Sequence, residues 1–152
     1  MNPVFKKLNY KAQPEIAVVN APDEFRPALD EMKPVATVVT DPAQIQDGRF
    51  IMAFVKTQHE LDDLVPRLAD KLQGDGLLWF AYPKGSSKKH TCDFNRDTGW
   101  KELGKRGFEG VRQVAVDNDW SALRFRRAEY IKKMTRADSR ALSEAGKAKL
   151  KP

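Results

Sequence analysis

Short apolar runs separated by helical stripes dominate the first half of the chain. Ile16, Ala17, Val18 and Val19 lie in a run at residues 15–20 with little polar alternation. Short runs rich in β-branched residues fit strands buried on both faces of a parallel sheet. Residues 35–40, 50–55 and 77–82 repeat the pattern, and 50–55 is the most apolar stretch of all. Pro22, followed by Asp23 and Glu24, reads as a helix start with proline at the first helical position. Phe25, Leu29 and Met32 then form a stripe that Pro34 closes. Thr57 and Glu60 have the spacing of a capping box, and Leu61, Leu64, Val65, Leu68 and Leu72 follow at helical spacing. Pro66 is expected to kink that helix, and the glycines at 74 and 76 mark its stop and turn.

The second half changes pattern. Asn95 is predicted to cap a helix carrying Trp100 and Leu103, with Gly107 as its stop. Residues 111–117 and 121–127 read as strands separated only by Asn118, Asp119 and Trp120. So short a link demands an antiparallel hairpin, because a parallel crossover needs about a dozen residues or more. Residues 1–14 form a lead-in in which Val4, Phe5 and Leu8 pin a helical turn to the core. Residues 128–152 read as a docked turn followed by a basic tail, weakly helical or disordered. The pattern predicts a single three-layer Rossmann-like α/β domain over residues 15–127, its mostly parallel sheet ending in the hairpin.

Composition narrows this without adding chemistry. A chain of 152 residues with 41% apolar side chains suits one domain. No stretch approaches the roughly 18 to 20 apolar residues that span a bilayer. The lead-in has no apolar core of a secretory signal. Cys92 is the only cysteine, which excludes an internal disulfide and a cysteine-based metal site. A cytoplasmic protein without membrane contact is expected. The net charge of +6 is uneven: residues 1–83 hold nine basic and twelve acidic side chains, residues 84–127 eleven and six, and residues 128–152 seven and three. Two readings stand, an electropositive face for an anionic partner or a solvated basic surface.

A parallel sheet finished by an antiparallel hairpin is similar in topology to class I methyltransferases, and residues 68–79 resemble their late helix, glycine turn and following strand. On that analogy the sheet order is 2-1-3-4-6-5, with the sixth strand antiparallel. Residues 78–88, with the loop Tyr82, Pro83, Lys84, Gly85, Ser86, Ser87 and Lys88, form one motif. Residues 93–97 with Trp100 form a second, and Val116 and Asp117 with residues 120–125 a third. Together with Asn20, Ala21 and Pro22 they resemble a family of uncharacterised bacterial proteins over roughly residues 5–127. The resemblance implies a Rossmann-like domain of unassigned function and carries over no catalytic residue.

Class I methyltransferases place a glycine-rich turn after the first strand and an acid after the second. This chain has Asn20, Ala21, Pro22 and Asp23 at the first place, with no glycine. Asp41 ends the second strand, but an acid before proline is a turn former. Neither S-adenosylmethionine nor a dinucleotide is expected, and no cofactor is predicted.

Ligands of open parallel sheets sit beyond the C-terminal strand ends, where strand order reverses. That crevice is expected between the first and third strands, beside the fourth. It would be lined by Asn20, Ala21, Pro22, Lys56, Thr57, Tyr82 and Lys84, with Ser86, Ser87, Lys88 and Lys89 from the loop. Hydroxyls, glycine and ammonium groups suit phosphate or carboxylate oxygens. The competing reading is a mobile surface loop, and the order of residues is not that of a P-loop. Trp120 beside the hairpin turn, with Arg124 and Arg126 on one strand face, is the second candidate. It is either a stacking and anion surface or the solvated face of an edge hairpin.

Cys92 lies near Lys88, Lys89 and His90, whose charge would lower its pKa. A nucleophile made from loop neighbours is rare, and one cysteine with two histidines makes no zinc site unaided. His59 reads as a surface residue, and Arg96 with Asp97 as an ion pair anchoring the loop. The function expected is a non-enzymatic binding or regulatory module for an anionic ligand, nucleotide or nucleic acid. The alternatives are an enzyme on a degenerate methyltransferase-like scaffold and a protein-interaction domain, including a homodimer through the edge hairpin.

Overall fold

A computed structural model describes residues 2–95 and 98–131. Its elements run α1 (Pro3–Lys7), β1 (Glu15–Val19), α2 (Arg26–Met32), β2 (Thr37–Val39), β3 (Phe50–Phe54), α3 (Gln58–Ala69), β4 (Leu77–Pro83), α4 (Lys101–Lys105), β5 (Phe108–Ala115) and β6 (Trp120–Arg127). Short 3-10 turns stand at Asp23–Phe25, Pro42–Gln44 and Ala128–Tyr130. The strands form one six-stranded sheet in the order β2-β1-β3-β4-β6-β5. β2, β1, β3 and β4 are parallel, and β6 runs antiparallel to both β4 and β5. The Rossmann-like α/β architecture and strand order expected from the sequence are those observed. Among the described residues no helix is long and apolar enough to cross a membrane.

Every residue of β1, β3 and β4 is buried, as continuous apolar runs require when both sheet faces are covered. Alternate side chains enter two cores. On one face Phe50, Met52, Trp79 and Ala81 meet Phe5 and Leu8 of the lead-in and Phe25, Leu29 and Met32 around α2. The lead-in is locked there by the Trp79 indole, whose Nε1 donates to the Leu8 carbonyl at 2.9 Å. On the other face Ile51, Ala53, Leu78 and Phe80 meet Leu61, Leu64 and Leu68 of α3, with Trp100 and Leu103 at α4. The capping box of α3 is present: Thr57 Oγ1 accepts from the Glu60 N–H, while the Glu60 carboxylate accepts from the Thr57 N–H.

Local differences have local causes. Pro22 precedes the 3-10 turn as its cap, one residue ahead of the first helical position, and its carbonyl accepts from Phe25. α2 instead starts with Pro27 in its first turn. β2 shortens to three residues because Val35 and Ala36 still donate to the Met32 carbonyl, which leaves Val35 exposed. The helix expected from Asn95 begins only at Lys101, after Gly99 at φ 94°, and the Asn95 carbonyl accepts instead from the Thr98 N–H and the Trp100 indole N–H. Pro66 lies inside α3, which remains one helix. β5 starts three residues early, after Gly107 at φ 85°, and carries a bulge between Gly110 and Arg112. Of the 128–152 segment, Ala128 and Ile131 are buried in the docked turn. The remainder of that tail, and the Arg96–Asp97 pair, lie outside the described residues.

Candidate functional site

Val19 pairs with Ala53, and Phe54 with Ala81, in parallel register. Asn20, Lys56, Thr57 and Lys84 therefore leave the sheet at one rim, as expected. The contents of the rim are different. Residues 84–95 run across it as a strap tied to every element it passes. The Lys84 N–H donates to the Asp119 carbonyl at 2.8 Å, and Ser87 Oγ donates to the Asp119 carboxylate at 2.9 Å. His90 Nε2 lies 3.0 Å from the Glu24 carboxylate, which follows β1. The Asp93 N–H donates to the Lys56 carbonyl past β3, and the Asp93 carboxylate accepts from the Gln58 N–H at 2.7 Å.

This last bond removes an anion site that a helix N-terminus would otherwise offer. The Glu60 carboxylate takes the Lys56 and Thr57 N–H groups, Thr57 Oγ1 takes that of Glu60, and Asp93 takes that of Gln58. Internal oxygens thus already satisfy the Thr57, Gln58 and Glu60 donors at the start of α3. Thr57 is a helix cap here, and Pro22 caps a turn.

Two clefts lie near this rim and share no lining residue, one beside the strap and one beyond β1 and β2. The larger, of about 470 Å³, is bounded by Tyr82, Lys84, Ser87, His90, Phe94 and Ser121, with Thr91, Cys92, Asn95 and Gln113. The smaller, of about 370 Å³, lies beyond β1 and β2 against α3 and contains Asn20, Asp41, Glu60 and Arg67. Asn20 sits there at φ 60°, a left-handed conformation that asparagine tolerates better than most residues. Asp41 is engaged with its own turn, accepting from the Ala43 N–H at 2.9 Å. Of the expected crevice, Tyr82, Lys84 and Ser87 come together, Asn20 is separated from them, and Ser86 and Lys88 are exposed outside both linings. Ser87 also accepts from the Lys89 and His90 N–H groups, so its hydroxyl organises the strap.

Gln113, Phe94 and Ser121 are the residues that sequence reasoning missed. Gln113 Nε2 donates to the Tyr82 hydroxyl at 2.9 Å. The available signal was alternation along the hairpin, which puts Gln113 and Ser121 on the Tyr82 side of the sheet.

Electrostatics follow from these contacts. The hydrogen bond from His90 is the main reason the Glu24 carboxyl is held below its ordinary range, with smaller help from Lys89 and Trp120. Cys92 moves opposite to expectation. Burial pushes its thiol up, and the nearby Asp93 and Glu60 charges push the same way. No activated thiol results.

Trp120 is also a correction. It pairs with Pro83 at the end of the β4–β6 ladder, and the strap covers its ring. The indole packs 4.9 Å from His90 and 5.0 Å from Phe54 and is 1% exposed, so it presents no stacking surface. Its Nε1 makes no hydrogen bond of good geometry among the described residues. Arg124 and Arg126 lie near the other end of β4, where Arg126 holds Asp75 through Nε at 2.8 Å and Nη2 at 2.6 Å. About 20 Å of strand separates them from Lys84.

No family model matches the chain, and no curated protein matches it in sequence. Solved structures do match in fold. One is a protein of the NADB-Rossmann superfamily from Streptococcus agalactiae, at 13% identity over 84% of this chain and 68% of that one, with a TM-score of 0.50. Another is the tRNA methyltransferase TrmK of B. subtilis, at 9% identity over 92% of this chain and 73% of that one, also with a TM-score of 0.50. The N-methyltransferase NodS from Bradyrhizobium japonicum, solved with S-adenosyl-L-homocysteine, gives 14% identity over 83% and 88% and a TM-score of 0.48. At such identities the likeness is one of fold: a six-stranded, methyltransferase-like Rossmann sheet.

Proposed function

We propose that this domain is a binding module whose cleft beside Lys84 takes a small phosphate-bearing ligand such as a mononucleotide. Lys84 carries the reading. Among the described residues no carboxylate forms a salt bridge with its ammonium group, and Lys84 lines a cleft together with Tyr82, Phe94 and Ser121. Tyr82 and Phe94 lie 6.1 Å apart at a tilt of 43°, and Thr91 and Ser121 add hydroxyls. A cation beside hydroxyls suits phosphate oxygens. Calorimetric titration of adenosine monophosphate into the protein and into Lys84→Ala tests this. The variant should bind about tenfold more weakly, the equivalent of one charge-assisted bond of about 1.5 kcal/mol. Wild-type affinity should also fall with salt. Identical, salt-insensitive binding in both proteins would refute the reading, as would no saturable binding in either.

An enzyme on a methyltransferase-like scaffold is the second reading, favoured by the likeness to a tRNA methyltransferase. Three observations weigh against it: the glycine-free turn after β1, the engagement of Asp41 with its own loop, and the strap across the rim. A ligand at a hundred times its dissociation constant stabilises a protein by about 2.7 kcal/mol. An upward thermal shift with S-adenosylmethionine would replace the binding-module reading with this one. For a homodimer through the hairpin, the bulge in β5 and the exposed Arg112 weigh against edge-to-edge strand addition.

A further inference from the structure

Two guanidinium groups, of Arg124 and Arg126, face one carboxylate on the hairpin, and a third, of Arg112, stands beside Arg124. Arg112 and Arg124 are register partners across β5 and β6, and Arg126 follows on the same face of β6. Asp75, in the turn before β4, is already gripped by the fork of Arg126. Arg124 reaches the same carboxylate only at 4.0 Å, although its side chain is just 15% exposed. Its Nε is buried without a hydrogen-bond partner among the described residues. Burial pushes the Arg124 guanidinium down, Asp75 pulls it up, and the Arg126 and Arg112 charges push it down again. The other carboxylate on this face, Glu109, is fully buried opposite Arg126 and has an interaction of its own.

We propose that Arg112 and Arg124 form an oxyanion site for a phosphate group, free or carried on a polynucleotide backbone, with Asp75 as the internal competitor. A buried N–H without an acceptor is costly, and like charges at paired register positions repel. Phosphate oxygens match the outward edges of the two guanidinium groups and offset the repulsion between them. Asp75 cannot do so, because Arg126 fixes both of its oxygens. Exposure of Arg112, and of a third of Arg126, leaves the approach open. The site stands apart from the cleft beside Lys84 and does not depend on it.

The test is a titration of inorganic phosphate into the full chain, followed at the arginine Nε–H resonances by nitrogen-15 NMR. Phosphate should move the Arg124 Nε–H signal in the wild type. Arg112→Gln, at an exposed position that leaves the core untouched, should weaken binding about tenfold, the loss expected for one charge-assisted bond. Asp75→Asn should tighten binding severalfold, a direction that a purely structural Asp75–Arg126 pair would not produce. Lys84→Ala should leave this titration unchanged, so failure of the cleft reading and failure of this one remain separate. The site is overturned if the Arg124 signal stays still at about 10 mM phosphate, ten times a 1 mM dissociation constant. It is equally overturned if Arg112→Gln binds as the wild type does or Asp75→Asn binds no tighter. A second arm uses a single-stranded oligonucleotide. Tighter binding than phosphate, lost in Arg112→Gln and steeply salt-dependent, identifies the polynucleotide source, and weaker binding identifies the free anion.

Discussion

Trp79 and Trp120 offer a controlled comparison, because both rings are buried to within 1% and only one closes a hydrogen bond of good geometry. Substituting phenylalanine at either place removes about 40 Å² of buried apolar surface, about 1 kcal/mol at 25 cal/mol per Å². At Trp79 the change also strips the Leu8 carbonyl of its donor, on a residue with no exposure. An abandoned buried acceptor costs about 1–3 kcal/mol more. For a chain of this length each kcal/mol lowers the melting temperature by about 2–4 °C. Trp79→Phe should therefore melt about 2–12 °C below Trp120→Phe in thermal unfolding followed by circular dichroism, with the same order in urea. Equal midpoints, or a lower one for Trp120→Phe, would refute the reasoning.

The Glu24–His90 tie predicts an acid-side effect. A carboxyl held low in the folded state adds stability above its unfolded pKa and loses it as pH falls through the folded one. Glu24→Gln should flatten that limb of the stability–pH profile, and parallel wild-type and variant curves would show that the tie contributes nothing. Cys92, raised by burial, should react with iodoacetamide at neutral pH more slowly than free cysteine. Faster labelling would mean that the basic neighbours act on the thiol after all.

Much of the architecture was legible because its determinants are local. Unbroken apolar runs marked β1, β3 and β4, and the spacing of Thr57 and Glu60 announced the start of α3. The three-residue link required an antiparallel β5–β6 pair. Each feature depends on neighbours within a few positions, where backbone geometry and side-chain period leave few options. The candidate site was legible only as a rim, since parallel strands send Asn20, Thr57 and Lys84 out at one edge.

What happens at that edge was decided by contacts between distant residues. His90 meets Glu24 across 66 positions, Asp93 meets Gln58 across 35, and Ser87 meets Asp119 across 32. These bonds lay the strap over the expected crevice, bring His90 against Trp120 and occupy the Gln58 N–H at the start of α3. No periodicity records them, because a loop's course is chosen by whichever partners the folded sheet presents. Sequence alone therefore determined the buried strands β1, β3 and β4, the cap of α3 and the antiparallel sense of the hairpin. Tertiary packing decided which polar groups remain available to a ligand, since that depends on which of them the protein has already satisfied itself.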